Sequence, residues 1–190
     1  MIIAIRHGPV AADGICYGRW NPPLVNLPKD DTDTILRGLA DLPVVVGGGS
    51  TDRSVVRIVT SPADRCRLIA AQLATRLGLD LHEDERIAEL SMGAWEGRPW
   101  TWLEQHDGER LRLWMEQWQT AAPPGGESLT GLESRVQAAS DATDTHGPVI
   151  WITHAGVIRT LRVLFQATDW PTVMNSRVAH LVPEAFCPTG

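Results

Sequence analysis

The chain has 190 residues, a formal net charge of −6 and an apolar content of 43%. This length is ordinarily one domain with a real core, so we expect a single domain over residues 1–190 with the composition of a soluble globular protein. The acidic balance and the lack of any basic run argue against broad binding to nucleic acid or to acidic membranes.

The first predicted element is a buried strand. An apolar run over residues 1–5, rich in isoleucine, precedes Arg6, His7 and Gly8. Such a run predicts a short strand inside a sheet, and polar residues at its carboxyl end lie where open α/β sheets place ligand sites. A guanidinium beside an imidazole suits an anion, although a turn with a solvated histidine explains most tripeptides of this kind.

A helix and a second strand follow. The pattern predicts a helix over about 32–42, a flexible loop over the glycine-rich segment 47–52, and a strand over 55–60.

The next helix starts close to the end of that strand and stops at Gly78. Either Ser61 or Asp64 could cap it, and Pro62 suits its first turn. Arg65 then falls in the first turn, where the helix dipole already places positive charge. A bound anion would explain this position, and a solvated surface arginine is the alternative.

The middle of the chain predicts two further helices. Residues 99–119 have the apolar spacing of one long helix, and the segment 123–128, rich in proline and glycine, ends it. Ser128 or Thr130 could cap the next helix, since Thr130 and Glu133 have the spacing of a capping box. The eight tryptophans are expected mostly to pack in the core or between helices rather than to form a ligand site.

A third strand, over 149–153, is followed by His154, and helical spacing follows again through Phe165. If this strand and the first are parallel neighbours, His7 and His154 meet at the carboxyl edge of the sheet. The alternation of strands and helices predicts an α/β fold with three layers, α/β/α, around a mostly parallel sheet.

Cysteine usage and the start of the chain bear on location. Cys16, Cys66 and Cys187 have no CxxC or zinc-type spacing, and an odd, sparse set fits a reducing cytoplasm. The few residues before Arg6 are too short for a signal peptide, and no run approaches the roughly 20 apolar residues of a membrane span. We expect a cytoplasmic protein without a membrane partner.

Five motifs, in chain order, together resemble the histidine phosphatase superfamily, with its phosphoglycerate mutase-like fold. They are Ile5–Gly8, Ser61-Pro62-x-x-Arg65, Glu89-x-x-x-Gly93-x-Trp95-Glu96-Gly97, Gly125–Ser128 and Thr153–Arg159. They span nearly the whole chain, so the resemblance implies one histidine phosphatase domain over residues 1–190.

Within that superfamily, the segments 14–19 and 96–100 look like the α-ribazole phosphatase branch, which acts late in cobalamin biosynthesis. Two positions depart from the pattern. Asp13 stands where many members have asparagine, and a carboxylate there would repel phosphate unless it points away. Ala155 stands where the family often has glycine, which is a small change.

The resemblance implies a role for each site residue. His7 would attack phosphorus through a neutral ring nitrogen while its other nitrogen donates to a backbone carbonyl. Arg6 and Arg65 would bind phosphoryl oxygens in bidentate geometry, and His154 would add a donor as the imidazolium. Glu89 would protonate the leaving alcohol and later activate water.

The remaining expected phosphate- or substrate-binding residues are Gly8, Tyr17, Gly18 and Arg19. The resemblance implies neither a metal nor a cofactor, because arginine and histidine supply the positive charge. The expected partner is a small phosphorylated metabolite, with α-ribazole 5′-phosphate the leading candidate, and the chain is expected to be a monomer or a homodimer.

Two alternatives stay open. One is a mutase, or a phosphatase for another sugar or metabolite; mutases usually carry a longer insertion between the motif of Glu89 and His154. The other is a non-catalytic domain that binds a phosphorylated ligand. The five residues Arg6, His7, Arg65, Glu89 and His154 argue against it, because a receptor needs neither a nucleophile nor an acid.

Overall fold

The computed structural model of the chain describes residues 1–42, 45–46, 54–55, 57–143 and 148–187. The predicted flexible loop over 47–52 lies outside these residues. The strands are β1 (Ile2–Arg6), β2 (Ile15–Cys16), β3 (Val45–Val46), β4 (Ser54–Val55), β5 (Arg57–Thr60), β6 (Asp80–Glu83), β7 (Arg98–Pro99), β8 (Val149–Thr153) and β9 (Pro183–Phe186). The helices are α1 (Pro28–Ala40), α2 (Asp64–Leu77), α3 (Trp100–His106), α4 (Gly108–Glu116), α5 (Leu129–Thr143), α6 (Ala155–Phe165) and α7 (Trp170–Asn175), with 3₁₀ turns at Glu85–Ile87 and Gly93–Trp95.

The main sheet has five strands in the order β6-β5-β8-β1-β9. All neighbouring pairs are parallel except β1 with β9. Arg6 lies opposite Thr153, so the residues that follow, His7 and His154, leave the sheet at the same edge. The predicted pairing of these two strands is therefore confirmed, and it creates a site where ligands bind in parallel sheets.

Helices cover both faces of this sheet. Alternate residues of a strand point to opposite faces, and in β1 Ile2 and Ala4 pack with α5, α6 and α7 while Ile3 and Ile5 pack with α1 and α2. The fold is thus the predicted α/β/α arrangement with a mostly parallel sheet. A third buried cluster, around Trp95 and Leu103, lies beneath α3 and α4.

The first two helices differ from prediction at their starts. Helix α1 begins at Pro28 rather than near residue 32, since proline suits the first helical turn. Helix α2 has Ala63 as its N-cap and no side chain caps it, so neither Ser61 nor Asp64 has the predicted role and Pro62 precedes the helix. Gly78 ends α2 as predicted.

The predicted long helix over 99–119 is wrong, because the chain breaks at Asp107 into α3 and α4. The Asp107 carboxylate accepts hydrogen bonds from Nε1 of Trp95 at 2.7 Å and from Nε of Arg110 at 2.6 Å. These contacts hold Asp107 with φ −140°, outside the helical region.

Helix α5 begins after Ser128, whose Oγ accepts from the backbone N–H of Gly131 at 3.2 Å. This bond confirms Ser128 as the cap. The Thr130–Glu133 capping box is wrong, since Thr130 lies inside α5 and the Glu133 carboxylate accepts from Nε1 of Trp170 instead. Among the described helices, none is long and apolar enough to cross a membrane.

Candidate active site

His7 is held as a neutral ring with a defined tautomer. Its Nδ1 lies 2.7 Å from the carbonyl oxygen of Gly8, which can only accept, so Nδ1 carries the proton. Its Nε2 accepts from Nε of Arg65 at 3.2 Å. The lone pair therefore lies on Nε2, and the predicted backbone acceptor for the other nitrogen is present.

Arg65 is 1% exposed and lies in the first turn of α2, so the alternative of a solvated surface arginine is wrong. Its Nη2 donates to the carbonyl of Gly18 at 2.7 Å, and its Nη1 donates to the carbonyl of Trp20 at 2.7 Å. Further bonds go to Asn21 and His154. With the bond to His7, the five N–H groups of the guanidinium have five acceptors.

His154 is fully buried directly after β8. Because arginine only donates, Nδ1 of His154 accepts from Nη2 of Arg65 at 3.3 Å, and its Nε2 donates to Oγ of Ser61 at 2.7 Å. The ring is therefore neutral here, and the imidazolium expected beside a bound phosphoryl group stays a prediction. Ser61, predicted as a helix cap, instead fixes this tautomer.

Burial lowers the pKa of both His7 and His154 well below the usual value of 6.5. The charge of Arg65 lowers the pKa of each ring further, and the two rings lie 5.2 Å apart. Cys66 contacts His154 Nε2 at 3.6 Å, but burial raises the pKa of its thiol to about 12. His7 thus stays an unprotonated imidazole with a lone pair on Nε2, whereas Cys66 stays a protonated thiol.

Glu89 lies against the start of α6. Its Oε2 accepts from the backbone N–H of Gly156 at 3.4 Å, and its Oε1 accepts from the N–H of Leu90 at 3.0 Å. A side-chain carbon at position 156 would lie 2.3 Å from Oε1, so a larger residue there would displace the Glu89 carboxylate. Glycine at position 156 therefore lets the Glu89 carboxylate lie against the start of α6.

Arg6, at the end of β1, donates from Nη1 to the carbonyl of Val178 at 2.8 Å. Its Nε is buried, and no acceptor for it exists among the residues that the structure describes. A buried donor without a partner costs free energy, and an oxygen of a bound anion would offset that cost.

Of the predicted binding residues after β1, some contact Arg65 or His7 and others are exposed. The Tyr17 ring lies 5.3 Å beneath the Arg65 guanidinium, and Gly18 accepts from the same group. Arg19 is exposed, and its Nε donates to the carbonyl of Glu89 at 3.2 Å. Gly8 is buried behind His7, so its carbonyl orients the ring. The side chain of Asp13 is exposed, so water solvates its charge and it need not point at a bound anion.

Two cavities meet at Glu89. The arginine cavity, about 290 Å³, is lined by polar residues that include Arg19, Ser61, Arg65, Glu89 and His154. The tryptophan cavity, about 370 Å³, is lined by Arg6, Tyr17, Glu89 and Arg159 together with Trp100, Trp114, Trp118, Trp170 and other apolar residues. Trp114 packs against Trp95 and Trp118 against Trp170, as expected for packing between helices, and Trp114, Trp118 and Trp170 also line this cavity.

Sequence reasoning missed His180 and Asp31. Nδ1 of His180 donates to the carbonyl of His7 at 2.6 Å, and the two rings lie 5.5 Å apart. Asp31 is 1% exposed and so close to Gly8 that a side-chain carbon there would lie 1.8 Å from its Oδ2. Neither residue follows a strand, so no strand-end pattern singled them out.

A second missed group fixes the main chain at Glu89. Arg135, on α5, donates from Nη2 to the carbonyl of Glu89 at 3.0 Å. Glu127 binds Arg135 through two hydrogen bonds of 2.7 and 2.8 Å, which hold the pKa of Glu127 below its usual value despite burial. Glu127, in the Gly125–Ser128 motif, therefore helps to hold the main chain at Glu89 through Arg135.

Comparison with known proteins identifies the family. The model of the histidine phosphatase superfamily (branch 1) matches residues 2–181. The bifunctional protein Rv2228c of Mycobacterium tuberculosis is 33% identical over 142 residues, which cover 74% of this chain and 36% of that protein. A probable phosphoglycerate mutase, GpmB, of Salmonella choleraesuis is 30% identical over 139 residues, covering 73% of this chain and 60% of that protein.

The chain thus spans about a third of the length of the first curated relatives it matches. Among solved structures, the α-ribazole phosphatase of Shigella flexneri has a TM-score of 0.78 at 24% identity, over 95% of this chain and 86% of that one. A mycobacterial glucosyl-3-phosphoglycerate phosphatase has a TM-score of 0.71 at 22% identity, over 90% and 82% of the two chains. These likenesses show a shared fold, and with the family match they establish that the chain belongs to the histidine phosphatase superfamily, branch 1, a family of phosphatases and phosphoglycerate mutases.

Proposed function

We propose that the protein is a phosphomonoesterase that works through a phosphohistidine at His7. The observation that carries this proposal is the fixed tautomer of His7, which leaves the lone pair on Nε2 beside the Arg65 guanidinium. A receptor for phosphate would need the arginine but not a nucleophile held in this form.

The first half-reaction follows from the position of each group. Nε2 of His7 forms a bond to phosphorus while the bond from phosphorus to the alcohol oxygen breaks, and Glu89 gives its proton to that oxygen. Arg6 and Arg65 bind the phosphoryl oxygens and offset their charge. In the second half-reaction Glu89 takes a proton from water, whose oxygen displaces His7 from phosphorus.

Phosphate binding changes the partners of Arg65 and His154. Nε of Arg65 occupies the lone pair of His7, so the guanidinium must exchange this contact and the carbonyls of Gly18 and Trp20 for phosphoryl oxygens. A dianion at this place also favours the protonated form of His154. Nδ1 of His154 then changes from acceptor to donor, which gives it the predicted role only in the complex.

α-Ribazole 5′-phosphate is the substrate we propose first. The motifs at residues 14–19 and 96–100 resemble the α-ribazole phosphatase branch, and one structural neighbour carries that name. A phosphoglycerate mutase activity is the alternative, because GpmB is among the relatives. The two differ in products, since a mutase returns a phosphorylated isomer and a phosphatase releases inorganic phosphate.

Trapping of the phosphoenzyme tests the mechanism. Rapid acid-free quenching with ³²P-labelled substrate should give a phosphoprotein that is labile in acid and stable in base, and His7→Ala should lack it. His82→Ala is the matched control, because His82 is exposed on β6. Undiminished turnover of His7→Ala would reject the proposed function.

A further inference from the structure

The proposed nucleophile, His7, is closed off from solvent in the free protein. It is 1% exposed, and it lines neither the arginine cavity nor the tryptophan cavity. The atom that covers its ring nitrogen is Nε of Arg65, which donates to Nε2 of His7 at 3.2 Å. Because this hydrogen bond occupies the lone pair, phosphorus can reach Nε2 only after the guanidinium of Arg65 has moved.

One short segment, residues 17–21 (the 17–21 loop), holds Arg65 in this covering position. It supplies three oxygen acceptors to the guanidinium: the carbonyls of Gly18 and Trp20, each at 2.7 Å, and Oδ1 of Asn21 at 3.3 Å. Three of the five acceptors of this guanidinium therefore come from one loop.

The 17–21 loop is fastened to the rest of the fold by contacts that do not involve the guanidinium. The backbone N–H of Arg19 donates to Oε1 of Glu96 at 3.0 Å. Oδ1 of Asn21 also accepts from the backbone N–H of the first residue of α2 at 3.2 Å. The loop oxygens therefore stay beside Arg65, and any ligand of this side chain competes with acceptors that are held at a high effective concentration.

A phosphoryl group is a stronger acceptor for the guanidinium than the loop oxygens are. A dianion attracts the guanidinium through its charge, whereas a carbonyl or amide oxygen offers only a dipole. The anion can thus displace the loop oxygens, but the hydrogen bonds that it replaces reduce the net gain on binding. The apparent affinity equals the intrinsic affinity multiplied by the fraction of molecules in which Arg65 has left the loop.

We propose that the 17–21 loop competes with the phosphoryl group for Arg65, and that Asn21 sets phosphoryl affinity through its contact with this guanidinium. In the free protein the loop keeps Arg65 over His7, and an anion opens the site by taking Arg65 from the loop. The inference rests on the proposed function, since it describes the step that comes before attack by His7. It predicts that loosening the loop tightens the binding of phosphate.

Asn21→Ala tests the competition, because it removes one acceptor from the guanidinium and leaves the loop backbone unchanged. Calorimetric titration with inorganic phosphate should give a Kd about three- to tenfold lower than in the parent chain, the net effect of one hydrogen bond. Asn175→Ala is the matched control, since Asn175 is exposed and donates within α7 to the carbonyl of Pro171. A Kd that rises or stays the same in Asn21→Ala would overturn the proposal.

Labelling of His7 gives a second measurement that does not depend on an anion. Diethyl pyrocarbonate acylates a neutral imidazole at its lone pair, so His7 should react only in molecules in which Arg65 has moved. Mass spectrometry of the peptides should show slower labelling of His7 than of His82, which is exposed on β6. The ratio of the His7 rate to the His82 rate should rise in Asn21→Ala by the same factor by which the Kd falls, because both follow the open fraction.

Asn21→Asp separates competition from damage to the loop. Its carboxylate keeps an oxygen for Arg65 and for the N–H at the start of α2, so His7 should be labelled no faster than in the parent chain. Equally fast labelling of His7 in the alanine and aspartate variants, above the rate of the parent chain, would make Asn21 a structural residue and reject its assignment.

The same variants separate this inference from the proposed function. Tighter phosphate binding and faster labelling of His7 in Asn21→Ala, in a protein that forms no phosphoenzyme, would retain the competing loop and reject the phosphomonoesterase. A phosphoenzyme at His7, together with a Kd and a labelling ratio that Asn21→Ala leaves unchanged, would do the reverse.

Discussion

Main-chain oxygens fix the position and tautomer of His7. The carbonyl of Gly8 takes the proton of Nδ1, while the carbonyl of His7 itself accepts from His180. The peptide between residues 7 and 8 is therefore fixed on both sides, with Asp31 packed against Gly8. A nucleophile held in one rotamer and one tautomer needs little reorganisation before attack.

Glu89 gives a prediction that separates acid catalysis from binding. Glu89→Gln should slow hydrolysis of an alkyl phosphate by about 10²–10⁴-fold, because the alkoxide then leaves without a proton. The loss should be much smaller with p-nitrophenyl phosphate, whose phenolate leaves unaided. Steady-state kcat for both substrates provides the measurement.

Arg65→Ala is the contrast for that experiment. In the proposed mechanism Arg65 binds the phosphoryl group common to every substrate. The loss of activity in Arg65→Ala should therefore be similar for both leaving groups, and Arg65→Lys should restore little without the bidentate fork. If Glu89→Gln slowed both substrates equally, Glu89 would be a binding or structural residue.

At the scale of secondary-structure elements, α5 links folding to the site. It starts at Ser128, directly after Glu127, and carries Arg135, which holds the carbonyl of Glu89. A cap that begins the helix at this residue also sets the position of the Glu127–Arg135 pair.

Removal of this cap should cost stability. Ser128→Ala leaves the N–H of Gly131 without its side-chain acceptor, and we expect a loss of about 1 kcal/mol in the free energy of unfolding. Urea unfolding followed by tryptophan fluorescence measures it. Ser134→Ala is the control, since Ser134 is exposed within α5 and only bonds back to the carbonyl of Thr130. A loss in Ser134→Ala equal to that in Ser128→Ala would contradict the capping role.

Local patterns made β1, β5, β8 and several helix limits predictable, whereas the edge strands β6 and β9 of the main sheet were not predicted. Strand β1, the start of α5 at Ser128 and the end of α2 at Gly78 depend on residues within a few positions, which a sequence displays directly. The break at Asp107 depends on capture by Trp95, twelve positions away, and has no local signal.

The site, too, has parts that local patterns predict and parts that depend on distant contacts. His7 and His154 were predictable because both follow buried strands, and parallel pairing brings them together. The tryptophan cavity was not, because it requires α4 and α7, which are more than fifty positions apart, to approach each other. Spacing along one helix could only indicate that Trp114 and Trp118 share a face.

For the molecule as a whole, the buried imidazoles tie stability to pH. The pKa values of His7 and His154 are lower in the folded state than the unfolded value of about 6.5. Below about pH 6.5 the unfolded chain therefore binds more protons than the folded one. The stabilisation is complete above that pH and is lost as the pH falls.

We expect the free energy of unfolding to fall between pH 7 and pH 5, by up to about 1.4 kcal/mol per pH unit for each buried histidine. His154→Asn should make the pH dependence shallower by up to that amount, and His82→Asn should not. Comparison of each variant with the parent chain cancels other groups, such as Asp31, whose pKa burial raises. An unchanged slope in His154→Asn would show that its ring does not carry the dependence.

The place of β8 in the sheet also has a consequence for how the chain folds during synthesis. Strand β8 lies between β1 and β5, although it follows both in sequence by roughly ninety residues or more. Until the ribosome has made residues 149–153, β1 and β5 cannot obtain their shared neighbour, and each presents an unpaired edge. Assembly is then governed by contacts of large sequence separation, which form slowly. His7 and His154, the proposed catalytic pair, come together only when β8 joins β1, so nascent chains that have not reached β8 should be inactive and prone to associate through their open edges.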